Sequence, residues 1–167
     1  EFTDNVLERE GEPRYLGTPM TTPSHPLKRK SVKPSISTVR GMLPGKQFRS
    51  LDSAMQSLRT AGLRLDWRWK NAESGWVCVG LLDEEVFCEL LPVEEPLIGI
   101  ITLSKVDVER IANSQSFPKK FKKILGMAID VVRGSNIYEF PLEDSRHRDL
   151  FTAFIEALQD ALNESEA

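Results

Sequence analysis

The chain is poor in the residues that most catalytic and metal chemistry needs. It holds two histidines and two cysteines in 167 residues. Cys78 and Cys88 each sit inside an apolar run, where a free thiol packs like a small hydrophobe. Two thiols build neither a disulfide framework nor a zinc site, so a reducing, intracellular compartment is expected. There is no glycine-rich phosphate loop and no Asp/Asn loop around a central glycine. No apolar run approaches the roughly 20 residues that span a bilayer. No N-terminal stretch has the charged-then-apolar form of a signal peptide. The carboxylates at Asp83, Glu84, Glu85, Glu94 and Glu95 read as solvated turns. No metal or cofactor is expected, and the inventory speaks against an enzyme.

What is present divides into two parts. Residues 1–47 carry six of the ten prolines among Ser, Thr, Gly and Lys, and no apolar periodicity persists. Such a segment buries too little apolar surface to offset its ordering entropy, so a disordered tail is expected. Its one apolar spot is Arg14–Pro19. The net charge of -3 hides an asymmetry, because residues 24–49 hold seven cations and no acid. Glu1-Phe2 reads as a cloning remnant, with the native N-terminus upstream.

From Phe48 onward the pattern is that of one α+β domain, 48–163, with 164–167 as a disordered end. Leu51, Ala54, Met55 and Leu58 predict a helix over 51–61, with Ser50 or Asp52 as its cap and Gly62 past its end. Leu63, Leu65, Trp67 and Trp69 alternate with Arg64, Asp66, Arg68 and Lys70, a half-buried strand. Trp76–Leu82 and Val86–Leu91 follow as strands around the turn Asp83-Glu84-Glu85. Leu97–Leu103 is nearly all apolar, hence central or buried on both faces. A short helix over 105–113 and a longer one over 118–133 are expected next, the latter started by Pro118 and ended by Gly134. The competing reading for Ile124–Val132 is a strand. Ile137–Leu142 suggests a short edge strand, and Leu150, Phe151, Phe154, Ile155 and Leu158 a terminal helix over 145–163.

Helix, four successive strands, then helices implies an antiparallel four-stranded meander with helices on one face. Between the third and fourth strands stands Leu91-Pro92-Val93-Glu94-Glu95-Pro96, a stiff acidic loop whose prolines cannot join a ladder. This order and this loop resemble the RWD domain family, which carries a Tyr-Pro-x-x-x-Pro loop at that place. Pro92 and Pro96 keep the spacing, and Leu91 stands at the tyrosine position. The helix around Asp149-Leu150-Phe151 and Phe154-Ile155 is similar to the family's last helix. The resemblance implies the ubiquitin-conjugating fold without its chemistry. That chemistry needs a cysteine after the fourth strand, and no cysteine follows Leu103. The kinase-associated C-terminal domain has a similar order. A pleckstrin-homology-like fold fits if Ile124–Val132 and Ile137–Leu142 form a final hairpin.

The functional expectation is a non-catalytic interaction or scaffold domain with a phosphoregulated tail, in a nuclear or chromosome-segregation assembly of kinetochore type. Its partner would be another protein, through a helix or peptide segment, or a homo- or heterodimer. The alternative is a kinase-associated or lipid-binding regulatory module whose basic helix face, Lys119, Lys120, Lys122 and Lys123, meets an anionic lipid. The acidic domain and the lack of aromatics among these lysines argue against nucleic acid. Trp67, Trp69 and Trp76 read as core, with one of them open to a role as partner anchor. Thr18 and Thr22 precede prolines, and Ser31 follows the cations Lys28, Arg29 and Lys30, so all three are candidate phosphorylation sites. Lys28, Arg29, Lys30 and Lys33 form a candidate import signal, with nuclear localisation expected first and cytoplasmic second.

Overall fold

Residues 25–166 are described by the computed structural model. The first of them correct the expected domain boundary at residue 48. A 3-10 turn at Pro26–Lys28 is followed by α1 (Ile36–Met42) and α2 (Gly45–Thr60). Ser35 opens α1 through a reciprocal cap. Its hydroxyl accepts the Thr38 amide at 3.4 Å and the Thr38 hydroxyl accepts the Ser35 amide at 2.7 Å. Leu27 and Val39 are fully buried and Leu43 nearly so. Val39 and Leu43 share one helical face with half-buried Ile36, a stripe only two turns long, and Leu27 stands apart from it. Leu27 is buried by a distant element, and that burial is invisible in the segment's own pattern. Residues 1–24, with Thr18, Thr22 and the Arg14–Pro19 spot, lie outside the described residues.

Residues 25–47 form a strap that is seated on the sheet through one glycine. Gly75 has φ 72°, a conformation that disfavours any side chain, and a Cβ there would run into the Leu27 carbonyl oxygen. Trp76 Nε1 donates to the Arg29 carbonyl at 2.9 Å, which holds the next stretch of the strap.

The alternating segments form β1 (Arg64–Asn71), β2 (Gly75–Leu82), β3 (Glu85–Leu91) and β4 (Ile98–Ser104), paired as consecutive antiparallel neighbours. The β2–β3 turn puts Asp83 and Glu84 at positive φ, 52° and 68°, the two-residue geometry that matches strand twist. β2, not β4, is the strand buried on both faces. Its Cys78 faces the main core, while Val77, Val79 and Leu81 join Leu91 in a second apolar cluster on the other side of the sheet. All buried helix residues belong to the main cluster. The helices therefore share one face of the sheet, as expected.

Beyond β4 the order departs from a plain meander. α3 (Lys105–Ala112) begins at Ser104, whose hydroxyl accepts the Asp107 amide at 3.1 Å. The helix expected over 118–133 is only α4 (Lys119–Leu125). The chain then forms β5 (Asp130–Val132) and β6 (Ser135–Pro141), joined at Arg133 and Gly134 with φ 51° and 81°. Gly134 is a hairpin-turn residue, not a helix cap, and the valine pair before it favours extended backbone. β6 lies inside the sheet rather than at its edge. It pairs with β4 from Ser135 to Pro141 and with β5 from Ser135 to Ile137. Five longer strands thus make an antiparallel sheet, with short β5 as a sixth on the rim. α5 spans Ser145–Glu166, so residues 164–166 continue the helix rather than fraying. Among the described residues no helix is long and apolar enough to cross a membrane.

Candidate functional site

Phe154 is fully buried and lies edge-on or tilted against Phe117, Phe121, Tyr138 and Phe140 at centroid distances of 6.0, 5.6, 6.3 and 5.5 Å. This aromatic cluster fixes α4, β6 and α5 relative to one another. The Tyr138 hydroxyl donates to the Leu125 carbonyl at 2.8 Å and so ties down the end of α4. Burial raises the pKa of Tyr138, in keeping with a phenol that stays protonated as a donor. Four residues further on, the Ile129 amide donates to the Ile137 carbonyl at 2.9 Å.

Between those two ties, Met127 and Ile129 point outward, 69% and 60% exposed. Their exposure is not explained by a loose backbone, because both flanks are hydrogen-bonded into the core. They form one wall of a groove of about 470 Å³, whose floor includes Tyr138 and Phe140 and whose far wall carries His147 and Leu150 of α5. Leu150 is itself 42% exposed. The α5 wall is set by Asp144, whose carboxylate accepts the His147 amide at 3.0 Å and caps the helix. That amide hydrogen bond, with the nearby His147 and Arg146 charges, holds the Asp144 carboxyl below its ordinary pKa. His147 Nδ1 is shielded from water and has no hydrogen-bond partner among the described residues.

A second cleft, about 320 Å³, lies beside the proline loop and the first turns of α2. Pro92 and Pro96 line it together with Lys46, Glu94, Glu95 and Glu143. Glu143 lines both clefts. The loop is split between core and surface: Pro92 is buried and Val93 packs on the core, while Glu94 and Glu95 are exposed.

The expected site residues separate. Trp67 and Trp76 are 9% exposed and belong to the core, and half-buried Trp69 packs on Trp76 edge to face at 5.9 Å. β1 turns its alternating apolar face, Trp67 included, toward the helices. Lys119, Lys120 and Lys123 are exposed and Lys122 is half-buried. Lys120 Nζ stands 5.1 Å from the Phe121 ring centre. None of the four makes an ion pair with a described residue. Ser31, Arg29, Lys30 and Lys33 are exposed, Lys28 is half-buried, and Lys33 Nζ reaches Asp66 at 3.4 Å. These residues sit on the folded strap and not in a free tail. Sequence reasoning missed the groove itself. The one signal was Met127 and Ile129, two apolar residues in a segment expected to be helical.

Chemical groups that could converge on a reaction are sparse here. Burial pushes the thiols of Cys78 and Cys88 up to about 12, where they are inert. Among the described residues no group of three or more His, Cys, Asp or Glu side chains is arranged to hold a metal ion. No protein-family model, curated protein or solved structure matches the chain.

Proposed function

We propose that this chain is a non-catalytic docking module, RWD-like in architecture, that receives a segment of a partner protein in the groove between β6 and α5. The observation that carries the reading is the outward placement of Met127 and Ile129 beside Leu150, on backbone that is pinned at both ends. Apolar side chains held out in this way mark interaction surfaces in soluble domains. The proposal extends to the basic stretch Lys28–Lys33 as an import signal for a nuclear assembly, presented from the strap.

Quantitative affinity purification of wild type against a Met127→Asp, Ile129→Asp double variant tests the docking reading. The expected result is selective loss of one set of partners with an unchanged thermal melt. Equal recovery of every partner by both proteins, or turnover of a substrate by the purified chain, refutes it.

A second reading is favoured by the same two side chains. They follow the last lysine of α4 by four and six residues, and apolar side chains near a cationic helix suit an anionic lipid surface. Sedimentation with phosphatidylcholine vesicles, with and without phosphatidylserine, separates the readings. Serine-lipid-dependent pelleting that Lys119→Glu with Lys123→Glu abolishes supports the lipid reading.

A further inference from the structure

We infer that the groove takes an extended peptide, which adds as a strand to the free edge of β6 and carries a basic residue between two apolar ones. The inference rests on the docking reading above and specifies the ligand of that groove.

The backbone supplies the first argument. Pairing of β6 with β5 ends at Ile137, whereas pairing with β4 continues to Pro141. Over Tyr138–Pro141 one edge of β6 therefore meets no strand. Which groups face that edge follows from alternation. The Ile137 carbonyl accepts from Ile129 and so points away from β4, and the Leu142 amide donates to Leu97 and so points toward it. Residues of one strand alternate in this respect, so the amide and carbonyl of Glu139 point to the open edge. Pro141 adds a carbonyl there and has no amide to satisfy. An antiparallel segment placed opposite Glu139 exchanges both of its hydrogen bonds with that residue, the arrangement used in strand addition.

The side chains supply the second. Residues directly opposite one another on paired strands share a face of the sheet. Tyr138 and Phe140 face the helices, where they touch Phe154 and Phe151. Peptide residues opposite them would lie against Ile124, Met127 and Leu150 and would be apolar. The residue between them, opposite Glu139, points to the other face beside an exposed carboxylate. Glu143 also lines the groove, and Glu94 and Glu95 line the cleft that shares Glu143 with it. This concentration of carboxylates favours Lys or Arg at the middle position. A helix docked here would leave the Glu139 backbone groups unused, and a lipid surface would meet those carboxylates unfavourably.

The test uses the full chain and a synthetic library of short peptides. Each peptide has a β-branched apolar residue on either side of a variable position, which is Lys in one half of the library and Glu in the other. The expected result is binding of the Lys peptides and slowed deuterium exchange at the Glu139 amide. N-methylation of the peptide residue opposite Glu139, which removes one hydrogen bond, should weaken binding by about tenfold. Glu139→Lys, an exposed substitution, should reverse the preference to the Glu peptides. The strand reading is overturned if peptides bind without preference for charge or without sensitivity to N-methylation. It is also overturned, with docking intact, if stapled amphipathic helices bind and protect Ile124–Ile129 instead. If neither peptide class binds and only vesicles containing phosphatidylserine do, both the strand reading and the docking reading fall.

Discussion

Replacing Leu27 by alanine asks whether residues 25–47 belong to the domain. Leu27 is fully buried and its backbone lies against Gly75, so the site has little room to collapse when the side chain is shortened. A buried Leu→Ala change of this kind costs about 3 kcal/mol. A domain of this size loses about 2–4 °C of Tm per kcal/mol, so the melt should fall by about 6–12 °C. Gly75→Ala attacks the same contact from the sheet side, by strain at positive φ and by collision with the Leu27 carbonyl. If both act by releasing the strap, the double variant should cost clearly less than the sum of the single ones. Circular dichroism melts and urea titrations of the full chain measure all three. A Leu27→Ala cost below about 1 kcal/mol, or additivity within about 0.5 kcal/mol, would falsify the docked strap.

Three further outcomes are expected. Cys78 and Cys88 should resist a thiol reagent in the native state at pH 8 and react fully once the chain is unfolded. Because burial raises their pKa to about 12, their stabilising effect is complete below the ordinary thiol range and is lost as pH climbs through it toward 12, which alkaline urea titrations would reveal. Asp144→Ala removes the side-chain acceptor that caps α5 and should lower the Tm at neutral pH. In wild type the same contribution should fade as acid protonates the carboxylate, since its pKa is lowered in the folded state, and a variant whose acid limb matches wild type would contradict that role. Met127→Ser with Ile129→Ser should leave the Tm within a few degrees of wild type, because both side chains are exposed, yet should abolish binding of the library peptides.

Much of the fold could be read locally. β1 shows strict alternation, α2 and α5 show helical stripes, and α3 lies within the expected 105–113. Such elements are legible because their period is written in the residues that they bury. The α4–β6 region was not. A lysine-rich turn, a proline and a glycine read as helix start and stop, but the tie between Tyr138 and Leu125 ends the helix early and the valines go to a rim strand. Residues 25–47 were misjudged for the same reason, since the stripe of Ile36, Val39 and Leu43 is too short to stand out among prolines and Leu27 is buried against distant Gly75.

By itself, then, the sequence determined an α+β chain with consecutive antiparallel strands, two inert cysteines and a proline-bounded acidic loop. Composition and periodicity suffice for that, because they depend on each residue's own chemistry and its near neighbours. Only the tertiary structure decided which surfaces remain open. The tryptophans went inward and Met127 and Ile129 outward, and one edge of β6 was left without a partner past Ile137. Exposure and unmet backbone bonds are properties of what fails to pack against a segment. No reading of that segment alone contains them.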